Sequence, residues 1–144
     1  MKSDLHNELQ NKAANYLMNQ GYWIKAVETP TPVGIIDVWG MNRNLGFITK
    51  AIEVKVSRQD WKSQSQKWKE RQNEHIANTC FILCPAELIK PDEVYETWGL
   101  LWWNGERIVN KKQGKFVEMS DRQKLEILIY WLSNGANQPK PMTL

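Results

Sequence analysis

Three side chains in the first half of the chain have the types and spacing needed for metal-assisted phosphate chemistry. Asp37 lies late in the apolar run 34–39, and Glu53 and Lys55 alternate with apolar residues in the run 52–56. Alternation along a strand sends Glu53 and Lys55 to the same face. If the two runs pair as a hairpin, all three side chains converge on one patch. Two carboxylates beside an ammonium are the groups that metal-assisted cleavage of a phosphodiester requires.

This patch predicts a role for each of its residues. Because Mg²⁺ uses one or two protein carboxylates and keeps several waters, we expect Asp37, Glu53 and the backbone carbonyl of Val54 to hold it, with Mn²⁺ able to substitute. We expect Lys55 to orient the attacking water and to stabilise phosphate charge. A triplet of an acid, any residue and a lysine is common, and 60–62 also matches it. The prediction of a site therefore depends on the strand context of 53–55 and not on the triplet alone. The alternative is a half-buried strand with an ordinary Glu and Lys on its outer face.

Apolar periodicity and turn-forming residues predict the elements that position this patch. Ser3 or Asp4 can cap a first helix that runs to Asn19 and is closed by Gly21. The later predictions are strands over 22–27, 34–39, 47–56, 78–84, 99–103 and 106–109, a short edge over 116–119, a polar helix over 61–75, and a last helix capped at Ser120 or Asp121. This order favours an α/β fold, with a mixed central sheet flanked by helices.

The first predicted helix offers one further acidic candidate. Glu8 lies on the flank of an apolar stripe at helical spacing. On one interpretation, Glu8 points toward Asp37 and Glu53 as an auxiliary metal ligand or as a group that positions water. On the other, it is a solvated surface residue. The stripe consists of Leu5, Leu9, Ala13, Tyr16 and Leu17.

A basic helix follows the strand that carries Glu53 and Lys55. Residues 57–60 have capping-box spacing, with Asp60 where Glu or Gln is usual. If this helix borders the site, its basic residues face nucleic-acid phosphates, and the alternative is an ordinary solvated helix face. The predicted nucleic-acid contacts are Lys67, Arg71, Lys62 and Arg58.

Composition limits the remaining possibilities. A chain of 144 residues with 42% hydrophobic and 24% charged residues is typical of one compact domain, here over 1–133, followed by a loose tail over 134–144. A net charge of +3 allows a polyanionic partner without requiring one. Cys80 and Cys84, four apart in an apolar run, favour buried thiols over a disulfide or a zinc site. We expect a cytoplasmic protein, with no membrane partner, because no leader-like or membrane-spanning run is found.

At these residues the sequence resembles a known superfamily. The residues 34–37 followed by 53–55 resemble the signature of the PD-(D/E)XK nucleases, although the usual proline before the aspartate is absent. More narrowly, 53–61, with Lys67 and Trp68 after it, resembles the MmcB-related DNA repair proteins. The resemblance implies a restriction-endonuclease-like core of order αβββαβ with C-terminal strands and a helix. It also implies Mg²⁺-dependent cleavage of DNA.

The predicted function is therefore metal-dependent hydrolysis of DNA phosphodiester bonds, in repair, recombination or mobile-element processing. The alternatives are a catalytically weak or inactive nuclease-fold module that binds DNA or a protein, and an unrelated α/β interaction protein. The sequence leaves open the DNA structure recognised, endonuclease against exonuclease action, and whether the chain forms a homodimer.

Overall fold

The computed structural model describes residues 2–31, 34–63 and 76–134 of the chain. Its helices are α1 (Asp4–Asn19), α2 (beginning at residue 58 and described to residue 63) and α3 (Asp121–Asn134). Its strands are β1 (Ile24–Thr31), β2 (Gly34–Asn42), β3 (Ile48–Val54), β4 (Thr79–Pro85), β5 (Gly99–Trp103) and β6 (Ile108–Lys112). Short 3₁₀ turns occur at Arg43–Leu45 and Pro91–Glu93.

The six strands form one mixed sheet in the order β1-β2-β3-β4-β5-β6. The pairs β1–β2, β2–β3 and β5–β6 are antiparallel, while β3–β4 and β4–β5 are parallel. The chain therefore has the predicted α/β fold, with a sheet flanked by helices and the arrangement of a restriction-endonuclease-like core. Since β3, β4 and β5 are parallel, their carboxyl ends meet at one edge of the sheet.

The helix α1 covers one face of the sheet. It begins as predicted, because the Ser3 hydroxyl accepts a hydrogen bond from the His6 amide at 3.1 Å, and it ends before Gly21, whose φ is +93°. The predicted apolar stripe is wrong at its start, since Leu5 is 39% exposed while His6 is buried. The side chains of this layer include Leu9, Ala13, Leu17, Val38, Ile52, Val54, Leu83 and Leu101.

A second apolar cluster gathers the residues that do not pack with α1. It joins residues of the sheet to residues of the α2, α3 and β4–β5 regions: Ile36, Trp39, Met41, Ala51, Trp61, Ile82, Trp98, Leu100 and Ile127. The indole nitrogen of Trp39 donates to the Ile76 carbonyl at 2.8 Å, which fixes this large side chain in place. The sheet thus has apolar packing on both of its faces.

Two strand predictions are wrong for identifiable reasons. The strand predicted to stop at Val27 continues to Thr31, because an edge strand tolerates Pro30, whose missing N–H is not needed by a second neighbour. The segment 116–119 is not a strand. Two hydrogen bonds to Asn78 hold it instead. The Asn78 side-chain amide donates to the Val117 carbonyl at 2.8 Å, and the Asn78 backbone carbonyl accepts from the Val117 amide at 2.7 Å.

The remaining predictions fall partly outside the described residues. The C-terminal helix is confirmed, with the Ser120 hydroxyl accepting from the Gln123 amide at 3.1 Å. The body of the predicted basic helix, residues 64–75, lies outside them. Of the predicted tail 134–144, Asn134 is the last residue of α3, and residues 135–144 lie outside the described ranges. Within the described ranges, none of the helices has the length and apolar character needed to cross a membrane.

Candidate active site

The antiparallel pair β2–β3 brings two of the predicted acids together. Val38 on β2 pairs with Ile52 on β3, so Asp37 and Glu53 follow as cross-strand neighbours. The ladder changes at this point, because the Asp37 carboxylate, through Oδ2, accepts the Val54 amide at 2.8 Å. A side chain therefore replaces a strand partner where the two strands separate, and this leaves an opening at the sheet edge.

All three predicted catalytic side chains are buried at this opening. Asp37 is 3% exposed, Glu53 4% and Lys55 2%. Buried ionisable groups require partners, since an isolated charge away from water is costly. Here the two carboxyl groups are hydrogen-bonded to each other, and the Lys55 ammonium acts on Glu53 through its charge. The structure thus places in one cluster the residues that alternation and strand pairing predicted.

The two carboxyl groups have opposite protonation behaviour. Burial raises the pKa of Glu53 well above its ordinary value, and the hydrogen bond and charge of Asp37 raise it further, against the opposing charges of Lys55 and Lys2. Burial also disfavours charge on Asp37, but hydrogen bonds from Glu53, His6, Lys2 and the Val54 amide lower its pKa below its ordinary value. The environment therefore favours the protonated form of Glu53 and the charged form of Asp37.

The N-terminal segment supplies further contacts to Asp37 through the same oxygen, Oδ1. The Lys2 ammonium lies 2.7 Å from it, and Nε2 of His6 lies 3.3 Å from it. Lys2 also lies 3.1 Å from Oε1 of Glu28, the residue opposite Asp37 on β1. Nδ1 of the buried His6 has no hydrogen-bond partner within the described ranges. Asp37 is thus surrounded by donors at both oxygens.

Lys55 is positioned by β4 and by the start of α2. Its amide donates to the Leu83 carbonyl at 2.9 Å, which continues the parallel ladder beyond β3. Its ammonium lies 3.7 Å from Oδ1 of Asp60, while Oδ2 of Asp60 accepts the Val56 amide at 3.2 Å. The Asp60 amide in turn donates to the Ser57 hydroxyl at 3.0 Å, as the capping-box spacing predicts. The first turn of α2 therefore orients the Lys55 ammonium.

These groups line one cavity of about 460 Å³ at the sheet edge. That volume lies in the range of small-ligand sites and accommodates a phosphate group with water. Its lining contains four acidic side chains, two lysines and one histidine, together with the apolar side chains of Ile35, Val54 and Val56. The lining residues are Lys2, Ser3, His6, Glu28, Ile35, Asp37, Glu53, Val54, Lys55, Val56 and Asp60.

The donor set fits Mg²⁺ better than a metal held wholly by side chains. Among the described residues, no group of three or more His, Cys, Asp or Glu side chains is arranged to hold a metal ion. Mg²⁺ needs no such group, since it is bound through one or two carboxylates and keeps its waters. Asp37 and Glu53 lie within hydrogen-bonding reach of each other, and both line the same cavity as Val54. The residues present therefore fit the predicted cation.

The other predicted residues lie away from the cavity or outside the described chain. Glu8 is exposed on α1 and does not line the cavity. Arg58 donates to both carboxylate oxygens of Glu93, at 2.9 and 2.7 Å, and to the Leu88 carbonyl at 3.0 Å. Lys62 is exposed and does not line the cavity. The two remaining predicted phosphate contacts, Lys67 and Arg71, lie outside the described residues.

Sequence reasoning missed four residues around the site: Lys2, His6, Glu28 and Asp60. A signal existed for His6, which precedes Leu9 by three residues and so continues the buried stripe of α1. A signal also existed for Asp60, through its cap position. No sequence signal indicated Glu28, because the predicted first strand ends at Val27. None indicated Lys2, because Lys2 precedes the first segment with a periodic pattern.

Comparisons with known proteins bear on the fold. No protein-family model and no curated protein matches the chain. A solved structure of a protein of unknown function from Silicibacter pomeroyi is similar at 16% identity and a TM-score of 0.72, covering 94% of this chain and 89% of that chain. A repair endonuclease from Pyrococcus abyssi matches at 16% identity and a TM-score of 0.36, over 59% of this chain and 38% of that chain. The first likeness shows a shared fold, and the second is too partial to carry an argument.

Proposed function

We propose that this protein is a Mg²⁺-dependent deoxyribonuclease that hydrolyses phosphodiester bonds. The observation that carries the proposal is the convergence of three buried side chains, Asp37, Glu53 and Lys55, at one cavity on the sheet edge. Two carboxyl groups in hydrogen-bond contact beside a buried ammonium are costly to the fold. Such an arrangement is typical of a site whose chemistry requires it.

Each residue has a specific role in this proposal. Asp37 and Glu53, with the Val54 carbonyl, would hold the cation, and Mn²⁺ would substitute for Mg²⁺. The bound cation would supply charge to the scissile phosphate and acidify a water. Lys55 would hold the attacking water and offset charge on a phosphate oxygen, with its ammonium oriented by Asp60, 3.7 Å away. The predicted auxiliary role of Glu8 stays a prediction that mutation can test.

DNA is the proposed substrate, on the resemblance of 34–37 and 53–61 to nuclease motifs and on the basic residues of α2 and the segment after it. Repair, recombination or mobile-element processing is the proposed setting, and the relation to the MmcB-related proteins remains part of the proposal. Lys62, Lys67 and Arg71 are the proposed phosphate contacts. Arg58 would contribute only by giving up its paired contact with Glu93.

The test is cleavage of single-stranded, duplex, flap and branched DNA by the full chain, with Mg²⁺ or Mn²⁺. We expect cleavage to fall by at least about 10²-fold in Asp37→Asn, Glu53→Gln and Lys55→Met, because each removes a group that contacts the reacting atoms. Lys50→Met is the matched control, since Lys50 lies on the same strand, contacts Gln20 and the Tyr22 ring, and does not line the cavity. Glu8→Gln tests the auxiliary role.

Undiminished metal-dependent cleavage by Lys55→Met would contradict the assigned site. Salt-dependent DNA binding without cleavage, with either metal and on every substrate, would favour the alternative, a nuclease-fold module that binds DNA. Circular dichroism of each variant establishes that a loss of cleavage is not a loss of folding.

A further inference from the structure

The Lys2 ammonium lies where a cation would approach Asp37. Its Nζ atom is 2.7 Å from Oδ1 of Asp37 and 3.1 Å from Oε1 of Glu28. The Lys2 side chain is 39% exposed, whereas that of Asp37 is 4% exposed, so the ammonium enters the cavity from its rim. Oδ2 of Asp37 accepts the Val54 amide. Both oxygens of the proposed ligand are therefore engaged by groups of this chain.

The second partner of Lys2 is held by an unusual backbone conformation. Glu28 has φ of +54°, which is uncommon for a residue other than glycine and costs conformational energy. It lies between the pairs Val27–Val38 and Thr29–Ile36, directly opposite Asp37. Such strain persists where the surrounding structure fixes it, and it clusters at functional sites. Here it accompanies a carboxylate that lines the cavity and binds Lys2.

We propose that Lys2 and Glu28 form a clamp that regulates access of the divalent cation to Asp37. Lys2 occupies Oδ1 of Asp37 in the metal-free protein and leaves it when the cation binds. The reason is that an ammonium and a divalent cation compete for one oxygen, and that two positive charges repel each other at contact distance. This inference rests on the proposed function, because it takes Asp37 and Glu53 as the cation ligands.

The first test compares Mn²⁺ affinity by calorimetric titration of the full chain at one ionic strength. Lys2→Met removes the competing ammonium, and we expect Mn²⁺ to bind about fivefold more tightly, the upper magnitude of a partly exposed ion pair. Lys12→Met is the matched control. It also removes one positive charge. Lys12, however, lies on α1 over the Trp103 ring, 4.9 Å from its centre, and does not line the cavity. We expect the control to stay within about twofold of wild type, the range of surface substitutions.

The second test detects displacement itself, because loss of any nearby positive charge would also favour a cation. Acylation of lysines by an amine-reactive ester is measured by mass spectrometry with and without saturating Mn²⁺. We expect labelling of Lys2 to rise several-fold with Mn²⁺, while labelling of Lys115, which pairs with Glu96 away from the cavity, stays constant.

The outcomes separate this inference from the proposed function. Mn²⁺ binding that is equal in wild type and Lys2→Met, or Lys2 labelling that Mn²⁺ leaves unchanged, would overturn the clamp while leaving the cation site intact. Failure of Mn²⁺ to bind either protein would overturn the proposed function and the clamp with it.

Discussion

Glu53→Gln is expected to stabilise the metal-free protein increasingly as the pH rises. Because Glu53 has a raised pKa in the folded state, its contribution to stability is fully present below its ordinary pKa of 4.5. That contribution is lost as the pH rises toward the folded pKa, since the unfolded chain releases the proton first. Gln keeps the shape and an N–H donor toward Asp37 but does not titrate. The variant therefore avoids this loss.

The magnitude follows from linkage. Each pH unit between the unfolded and folded pKa values of Glu53 reduces the free energy of unfolding by about 1.4 kcal/mol. For a chain of 144 residues, an entropy of unfolding of about 2.1 cal/mol/K per residue converts 1 kcal/mol into roughly 3 °C of Tm. The Tm of Glu53→Gln minus that of wild type should thus grow by about 4 to 5 °C per pH unit above pH 4.5 until the folded pKa is reached.

The assay is calorimetric or fluorescence-monitored melting in EDTA from pH 4.5 to 8. Glu118→Gln is the matched control, because Glu118 is exposed and lies outside the cavity, and its Tm difference should stay within about 1 or 2 °C. A Glu53→Gln curve that runs parallel to wild type at every pH would refute the argument that Glu53 retains a proton. If the Tm of Glu53→Gln instead falls relative to that of wild type as the pH rises, the pKa of Glu53 is lowered rather than raised in the folded protein.

Two further predictions concern groups outside the site. Burial raises the pKa of Cys80 to about 12 and that of Cys84 to about 11. Both thiols should therefore resist an aromatic disulfide reagent at pH 8 and react stoichiometrically only after denaturation. Rapid labelling of the native protein would contradict this. Asn78→Ala should lower the free energy of unfolding by about 2–4 kcal/mol, hence Tm by roughly 6 to 12 °C, because it leaves a buried backbone amide and hydroxyl on β3 without their acceptor. The exposed Asn110→Ala is its control in thermal melting, and equal melting of the two variants would show that the buried network contributes little.

Local patterns were sufficient for the elements that carry the site. Alternation puts Glu53, on β3, and Lys55, just after it, on the same side of the chain, and the turn after Asp37 makes β2 the neighbour of β3. The convergence of the three side chains at one cavity could therefore be predicted from the sequence. The bounds of α1 followed from Ser3 and Gly21 for the same reason, since caps are local chemistry.

What the sequence did not reveal depends on pairing between distant residues. Pro30 reads as a strand breaker until β1 is known to be an edge strand. Arg58 reads as a phosphate contact until Glu93, 35 residues later, is seen to occupy its guanidinium. Helical spacing indicates that His6 lies on the buried side of α1, but it does not show that His6 contacts Asp37, 3.3 Å away. Specific partners of this kind are set by tertiary structure.

The most direct test of the central claim is a crystal of the protein grown or soaked with Mn²⁺ and measured for anomalous scattering. We expect one strong peak within about 2.0 to 2.3 Å of a carboxylate oxygen from both Asp37 and Glu53, with the Lys2 ammonium displaced from Asp37. An anomalous map with no peak between these two carboxylates, or with Mn²⁺ bound only elsewhere, would contradict the account.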